Sequence, residues 1–146
     1  MAALEQVYSP TSYTRVGLRY KDVIRRDSLG LQGANWRDLL RPELVGELAD
    51  TNICDSVEET LTQTVLRLPE FGAKVRLQHG LAIENNQQLY VSDNDLFTEK
   101  RTELPDVYAT LQYFSAQAHR LFRWCISDRL HDAMGPQPLQ PKISAD

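Results

Sequence analysis

A chain of 146 residues with 42% apolar and 25% charged side chains fits one globular domain and excludes wholesale disorder. Its two cysteines, Cys54 and Cys125, are too few for a disulfide scaffold and too isolated for zinc, so both read as buried free thiols. The net charge of −4 is uneven: residues 46–106 carry five basic and twelve acidic side chains, and no basic cluster is dense, which argues against a nucleic-acid binder.

The start, Met1-Ala2-Ala3-Leu4-Glu5, lacks the basic and apolar segments of a secretory signal. No apolar run approaches the ~20 residues that cross a bilayer. A cytoplasmic protein without a membrane partner is therefore expected.

Residues 1–12 read as a polar lead-in. From Tyr13 to Ile24 the pattern is a strand, with Val16, Leu18 and Tyr20 on one face and Arg15, Gly17, Arg19 and Lys21 on the other. Gly30 and Gly33 mark a loop. Asn35 then reads as a helix N-cap before Trp36, Leu39 and Leu40, and Pro42 starts a second short turn that buries Leu44, Val45 and Leu48. A Val- and Thr-rich strand is predicted over residues 53–68, with Val57, Leu61 and Val65 on one face. Pro69 to Gly72 turns the chain. Lys74 to Ile83 is a third strand with Val75, Leu77, His79, Leu81 and Ile83 on one side. Asn85-Asn86 supplies a hairpin turn, since Asn tolerates positive φ. Gln88 to Phe97 is the fourth strand, with Leu89 and Val91 expected to face the core.

From Asp106 to Met134, apolar residues recur every three or four positions, including Val107, Leu111, Phe114, Ala118, Leu121, Phe122, Cys125, Ile126 and Leu130. One continuous helix is predicted, opened by Pro105 and stopped by Gly135-Pro136. The fold class is α+β: a curved, mostly antiparallel sheet of about four strands packed against a long C-terminal helix. Residues 13–135 form the single domain, and residues 136–146 are expected to be a Pro-rich mobile tail.

Few residues suggest chemistry. Arg15, Arg19 and Lys21 share one face and form either an anion or partner contact, or a solvated face paired with neighbouring acids. Asp93 and Asp95 alternate on the face of Leu89, Val91 and Phe97, while Asn94 points to the other. Turned inward, they would be an acid pair for proton transfer or a cation; turned outward, they would pair with Arg15 or Arg19. His79 falls on an apolar strand face, where a hydrogen-bonded core histidine is the commoner outcome, and His119 and His131 are too scattered to clasp a metal. The buried surroundings of Cys125 suppress its thiolate. No nucleophile elbow, phosphate loop, dinucleotide fingerprint or zinc spacing is present, so neither a metal nor another cofactor is expected.

Three segments taken together carry a resemblance. They are Thr14-Arg15-Val16-Gly17-Leu18-Arg19-Tyr20, then Asp93-Asn94-Asp95-Leu96-Phe97, then residues 119–128 (His-Arg-Leu-Phe-Arg-Trp-Cys-Ile-Ser-Asp) with Met134-Gly135. They resemble a sporadically distributed family of prokaryotic proteins of unassigned function. That family has an R-x-G-L-R-Y strand, a D-x-D strand and a closing F-x-x-x-I-[ST]-[DE] helix. The match spans roughly residues 13–135 and only the C-terminal part of the family, whose members usually carry a further segment before the arginine strand. The resemblance implies no catalytic residues, and the scattered occurrence implies a link to mobile-element or defence genes.

The expected function is a non-enzymatic binding or protein-interaction domain with a protein partner of unknown identity. Its rival is a small-ligand or hydrolytic enzyme holding Asp93, Asp95 and His79 in a cavity between sheet and helix. A third reading is nucleic-acid binding through the basic first strand. Self-association is also expected: Trp124, Ile126, Leu130 and Met134 spread around the end of a helix longer than the sheet, and a second copy would cover them in a homodimer.

Overall fold

The structure, a computed structural model, describes residues 11–135 and the backbone of residues 141–145. The fold is α+β. The strands are β1 (Ser12–Tyr13), β2 (Val16–Arg25), β3 (Thr62–Arg67), β4 (Ala73–Glu84), β5 (Gln87–Thr98), β6 (Thr102–Glu103) and β7 (Pro141–Ala145). The helices are α1 (Trp36–Leu39), α2 (Pro42–Val45), α3 (Leu104–Cys125) and α4 (Asp128–Met134). An antiparallel sheet runs in the order β3-β4-β5-β2-β7, and β1 pairs separately with β6. The fifth strand comes from the expected mobile tail: residues 141–145 pair with Val16–Tyr20 of β2. The remainder of that tail, and residues 1–10 of the lead-in, lie outside the described residues. No helix among the described residues is long and apolar enough to cross a membrane.

The β4–β5 hairpin closes on Asn85 and Asn86 at φ 52° and 61°, the left-handed pair that a two-residue turn of matching twist requires. The strand predicted over residues 53–68 is shorter than its pattern. Residues 54–56 form a 3-10 turn, and Leu61 and Val65, which share one face by spacing, are exposed. The ladder is interrupted at Thr60, where the Leu81 N–H donates to the Thr60 hydroxyl, at 2.8 Å, and not to a main-chain carbonyl. The Thr60 carbonyl instead swings over Gly80, where a Cβ would come within 1.8 Å of its oxygen. Only glycine lets the backbones approach so closely.

The C-terminal helix is long but not continuous. Ile126 is extended (φ −113°, ψ 152°) and bridges to Leu40. The Arg41 N–H donates to the Cys125 carbonyl at 2.9 Å, and the Ser127 N–H to the Leu39 carbonyl at 2.8 Å. The chain then restarts at α4, whose cap Ser127 accepts from the Leu130 N–H. Ile126 and Leu130 are buried, and α1, α2 and their loops join them in one apolar cluster. The expected overhanging helix end is thus covered from within the chain. Met134 is half-buried against that cluster, and only Trp124 of the four stays exposed.

Two apolar clusters fill the space between sheet and helices. One gathers Ile24, Leu81, Tyr90, Phe122 and Leu130 with α1 and α2, and the other gathers Val16, Leu18, Val75, Leu96 and Phe114. The inner face of β5 is the one opposite to expectation. Leu96 pairs with Leu18 and Val75, and Tyr90 pairs with Ile24 and Leu81. Residues opposite one another in a ladder share a face, so Leu89 and Val91 point outward.

Phe114 is fully buried and Trp124, on the same helix, is 39% exposed. Phe114→Ala is expected to cost roughly 3–5 kcal/mol and Trp124→Ala under about 1 kcal/mol. Urea denaturation of both variants checks the helix orientation, and equal losses would contradict it.

Candidate functional site

No helix covers the outer sheet face among the described residues. Its chemistry follows from the β5 register. Asp95 lies opposite Arg19 and Arg76, and Asp93 opposite Lys21 and Gln78, so both carboxylates point outward among cations. Arg19 grips Asp93 with both branches of its guanidinium: Nε donates to Oδ1 at 2.8 Å, and Nη2 donates to Oδ2. This hydrogen bond and the charge behind it raise the Arg19 pKa. Asp95 is shared by Arg15 at 3.4 Å and Arg76 at 3.5 Å. Both arginines also lie over the Phe97 ring, 5.0 and 5.2 Å from its centroid. Of the two arrangements open to the acid pair, the arginine-paired one is realised. The side chains of Asp93 and His79 point to opposite faces of the sheet, so carboxylate and imidazole do not meet, although both residues border one cleft.

Beside this network the segment at residues 59–61 crosses Gly80 and roofs a cleft of about 200 Å³. Val91, Ala82 and Leu61 give it apolar walls, and Lys21, Gln78, Asp93 and Glu59 give it polar ones. The Gln78 amide is turned to Gln63, donating to its Oε1 at 2.6 Å. Asp93 is already engaged by Arg19. Lys21 and Glu59 both lack an ion-pair partner among the described residues, so Lys21 is the available cation of the cleft.

A second polar group lies on the inner face, between the two apolar clusters. Asp22, Ser92 and His79 form one cross-strand row, and Tyr20, Asn94 and Leu77 form the next. Asn94 is 0% exposed, and neither of its amide atoms finds a partner among the described residues. The same holds for Ser92 Oγ and Asp22 Oδ2. His79 Nδ1 lies 2.5 Å from the Tyr90 hydroxyl. Burial lowers the His79 pKa; burial also raises that of Asp22, against the opposing pull of His119. Burial pushes the Cys125 thiol up to about 12, which leaves it unreactive; Cys54 is only half-buried. Among the described residues no three His, Cys, Asp or Glu side chains converge as a metal site would require.

The sequence placed Arg15, Arg19, Lys21, Asp93 and Asp95 on strands, but not opposite one another. It missed the cleft, whose signal was Gly80 inside a strand pattern, a mark of close backbone approach. It also missed Asp22, Ser92 and Asn94, which share a face with apolar residues of β2 and β5.

Two outcomes follow from this geometry. His79 is held neutral in the fold, so its contribution to stability is present above the unfolded pKa of 6.5 and is lost as pH falls below it. The unfolding free energy of the wild type from urea titrations should therefore drop below pH 6.5, by at most about 1.4 kcal/mol per pH unit for one proton, and His79→Gln should flatten the profile. Gly80→Ala should move residues 59–61 off the sheet, seen as faster amide exchange there while α3 is unchanged; unaltered exchange at those residues would contradict the close approach.

Compared with protein-family models and with curated proteins, the chain matches none.

Proposed function

We propose that this chain is a non-enzymatic binding domain that holds a protein partner on the open face of its sheet, with Lys21 and the cleft beside it as the contact. The observation that carries this reading is the combination of paired acids and an available cation. Asp93 and Asp95 are tied to arginines and so are poorly placed to move protons. Lys21 has no ion-pair partner among the described residues and lines a cleft with apolar walls. A carboxylate-bearing side chain of an extended partner segment suits that setting: its charge meets Lys21 and its stem meets Val91 and Ala82. The same reading would place the chain in the prokaryotic family that its arginine strand, D-x-D strand and closing helix resemble, with the implied link to mobile-element or defence genes.

Nucleic acid is the poorer fit. Among the residues whose side chains are described, the face carries Arg15, Arg19, Lys21, Arg25, Arg67, Lys74 and Arg76, against Asp93, Asp95 and Glu84. Four of the arginines are already in ion pairs. Phe97 is buried beneath two of them, so it offers no ring on which a base could stack. An enzyme site on the inner face would need its polar groups to converge on a substrate-sized space, and Asp93 and Asp95 are on the other side of the sheet.

Affinity capture from the source organism, run in parallel with the wild type, Lys21→Glu and Val91→Glu, tests the reading. The expected result is a protein retained by the wild type and lost from both variants with the fold intact by circular dichroism. Retention by all three, or recovery of nucleic acid that a modest rise in salt releases, would refute it.

A further inference from the structure

The helical layer does not roof the whole inner face of the sheet. Leu18, Leu96, Val75 and Leu66 form one apolar row across β2, β5, β4 and β3. The helix α3 packs on β2 and β5. The first three side chains of the row are buried, while Leu66, at its end, is 41% exposed. Between that end and the flank of α3 runs a groove of about 280 Å³. Leu66, Leu68, Val75, Leu96, Leu121 and Trp124 line it, and only Gln117 and Arg120 add an amide and a charge.

Arg120 and Trp124 also border a wider hollow at the break after α3, together with Arg41 and Arg123. Two of these arginines are engaged there. Arg41 lies 4.4 Å from the centre of the Trp124 ring, and its Nε donates to the Trp124 carbonyl at 2.6 Å. Arg123 donates to the Ile126 carbonyl at 3.0 Å and pairs with Asp128. Arg120 is exposed and has no hydrogen bond or ion pair among the described residues. An uncommitted guanidinium therefore stands where an apolar groove meets a basic hollow.

We propose that this groove binds an unbranched aliphatic carboxylate, with its alkyl chain against Leu66, Leu121 and Trp124 and its carboxylate on Arg120. A hydrocarbon chain suits the lining, because it brings no polar group along its length. A peptide in the same place would bring an N–H and a C=O at every residue, and the lining side chains offer them little beyond Gln117 and Arg120. The sign of the head group follows from the same residues. Arg120 has Arg41 and Arg123 beside it, and the acid of the hollow, Asp128, is already met by Arg123. The groove is on the face opposite the Lys21 cleft, so it stands independently of a partner held there.

Calorimetric titration with sodium hexanoate, octanoate and decanoate, each below its micelle-forming concentration, tests this. Affinity should rise with every added methylene, by up to about fourfold, until the groove is full. Octanol should bind more weakly than octanoate. Arg120→Gln should weaken octanoate by about tenfold and leave octanol unchanged, whereas Leu66→Asn should weaken both. Both replaced side chains are exposed, and circular dichroism checks that the fold is kept. Several results would overturn the proposal: no binding by the wild type, one affinity along the whole series, or octanoate binding indifferent to Arg120→Gln. Tighter binding of acetyl-Leu-Leu-Glu-amide than of decanoate would point to a peptide instead. Acrylamide quenching of the exposed Trp124 that falls as protein concentration rises would place a second copy in the groove, and would equally overturn it.

Discussion

The register of β5 between β2 and β4 decides which side chains this protein hides and which it shows. Leu96 must meet Leu18 and Val75, and Tyr90 must meet Ile24 and Leu81, for the two apolar clusters to form. Because the side-chain period is two, that requirement also sends Asp93 and Asp95 outward and Ser92 and Asn94 inward. A slip of one residue would reverse both outcomes, burying two carboxylates against Phe114 and Ala118 and stranding Leu96 in water. The arginines opposite Asp93 and Asp95 reinforce the same choice from the outer side, where their guanidinium forks meet the carboxylates. Apolar burial and charge pairing therefore specify one register from two faces of one strand.

The strands differ in how openly they state their orientation. In β2 the alternation is unambiguous: Val16, Leu18 and Tyr20 face one way, Arg19 and Lys21 the other, and the structure agrees. In β5 both parities mix apolar and polar residues, Leu89, Val91 and Phe97 with two aspartates, and Tyr90 and Leu96 with Ser92 and Asn94. No local pattern could separate them; the decision lies in the neighbouring strands, which periodicity within one segment does not see. The same limit hid the outer-face ion pairs, since residue types were legible and cross-strand partners were not.

The helix shows the converse case. Its stripe was legible through Phe114, Ala118 and Phe122, and the 3–4 spacing continues through Ile126 and Leu130 even though the backbone does not. The spacing persists because both halves bury the same side of the layer. The break is carried by Ser127, a cap residue, and by main-chain groups of Leu39 in α1 and Arg41 just after it, which replace the interrupted helical bonds. A strong apolar period thus masked a weaker capping signal. The short helices Trp36–Leu39 and Pro42–Val45 were placed correctly by Asn35 and Pro42, but their role as the cover of the C-terminal helix is a tertiary fact.

The pairing of β7 with β2 joins the two ends of the described chain. Val16–Tyr20 leave the ribosome more than a hundred residues before Pro141–Ala145, which pair with them. Until residues 141–145 emerge, one flank of β2 lacks its β7 neighbour, although β5 can already cover the other. Strand pairing over so long a separation is slow, because a large loop must close before any bond forms. The nascent protein therefore passes through a stage in which the strand edge of Val16 to Tyr20 lacks its β7 partner and is open to a chaperone or to a neighbouring nascent chain.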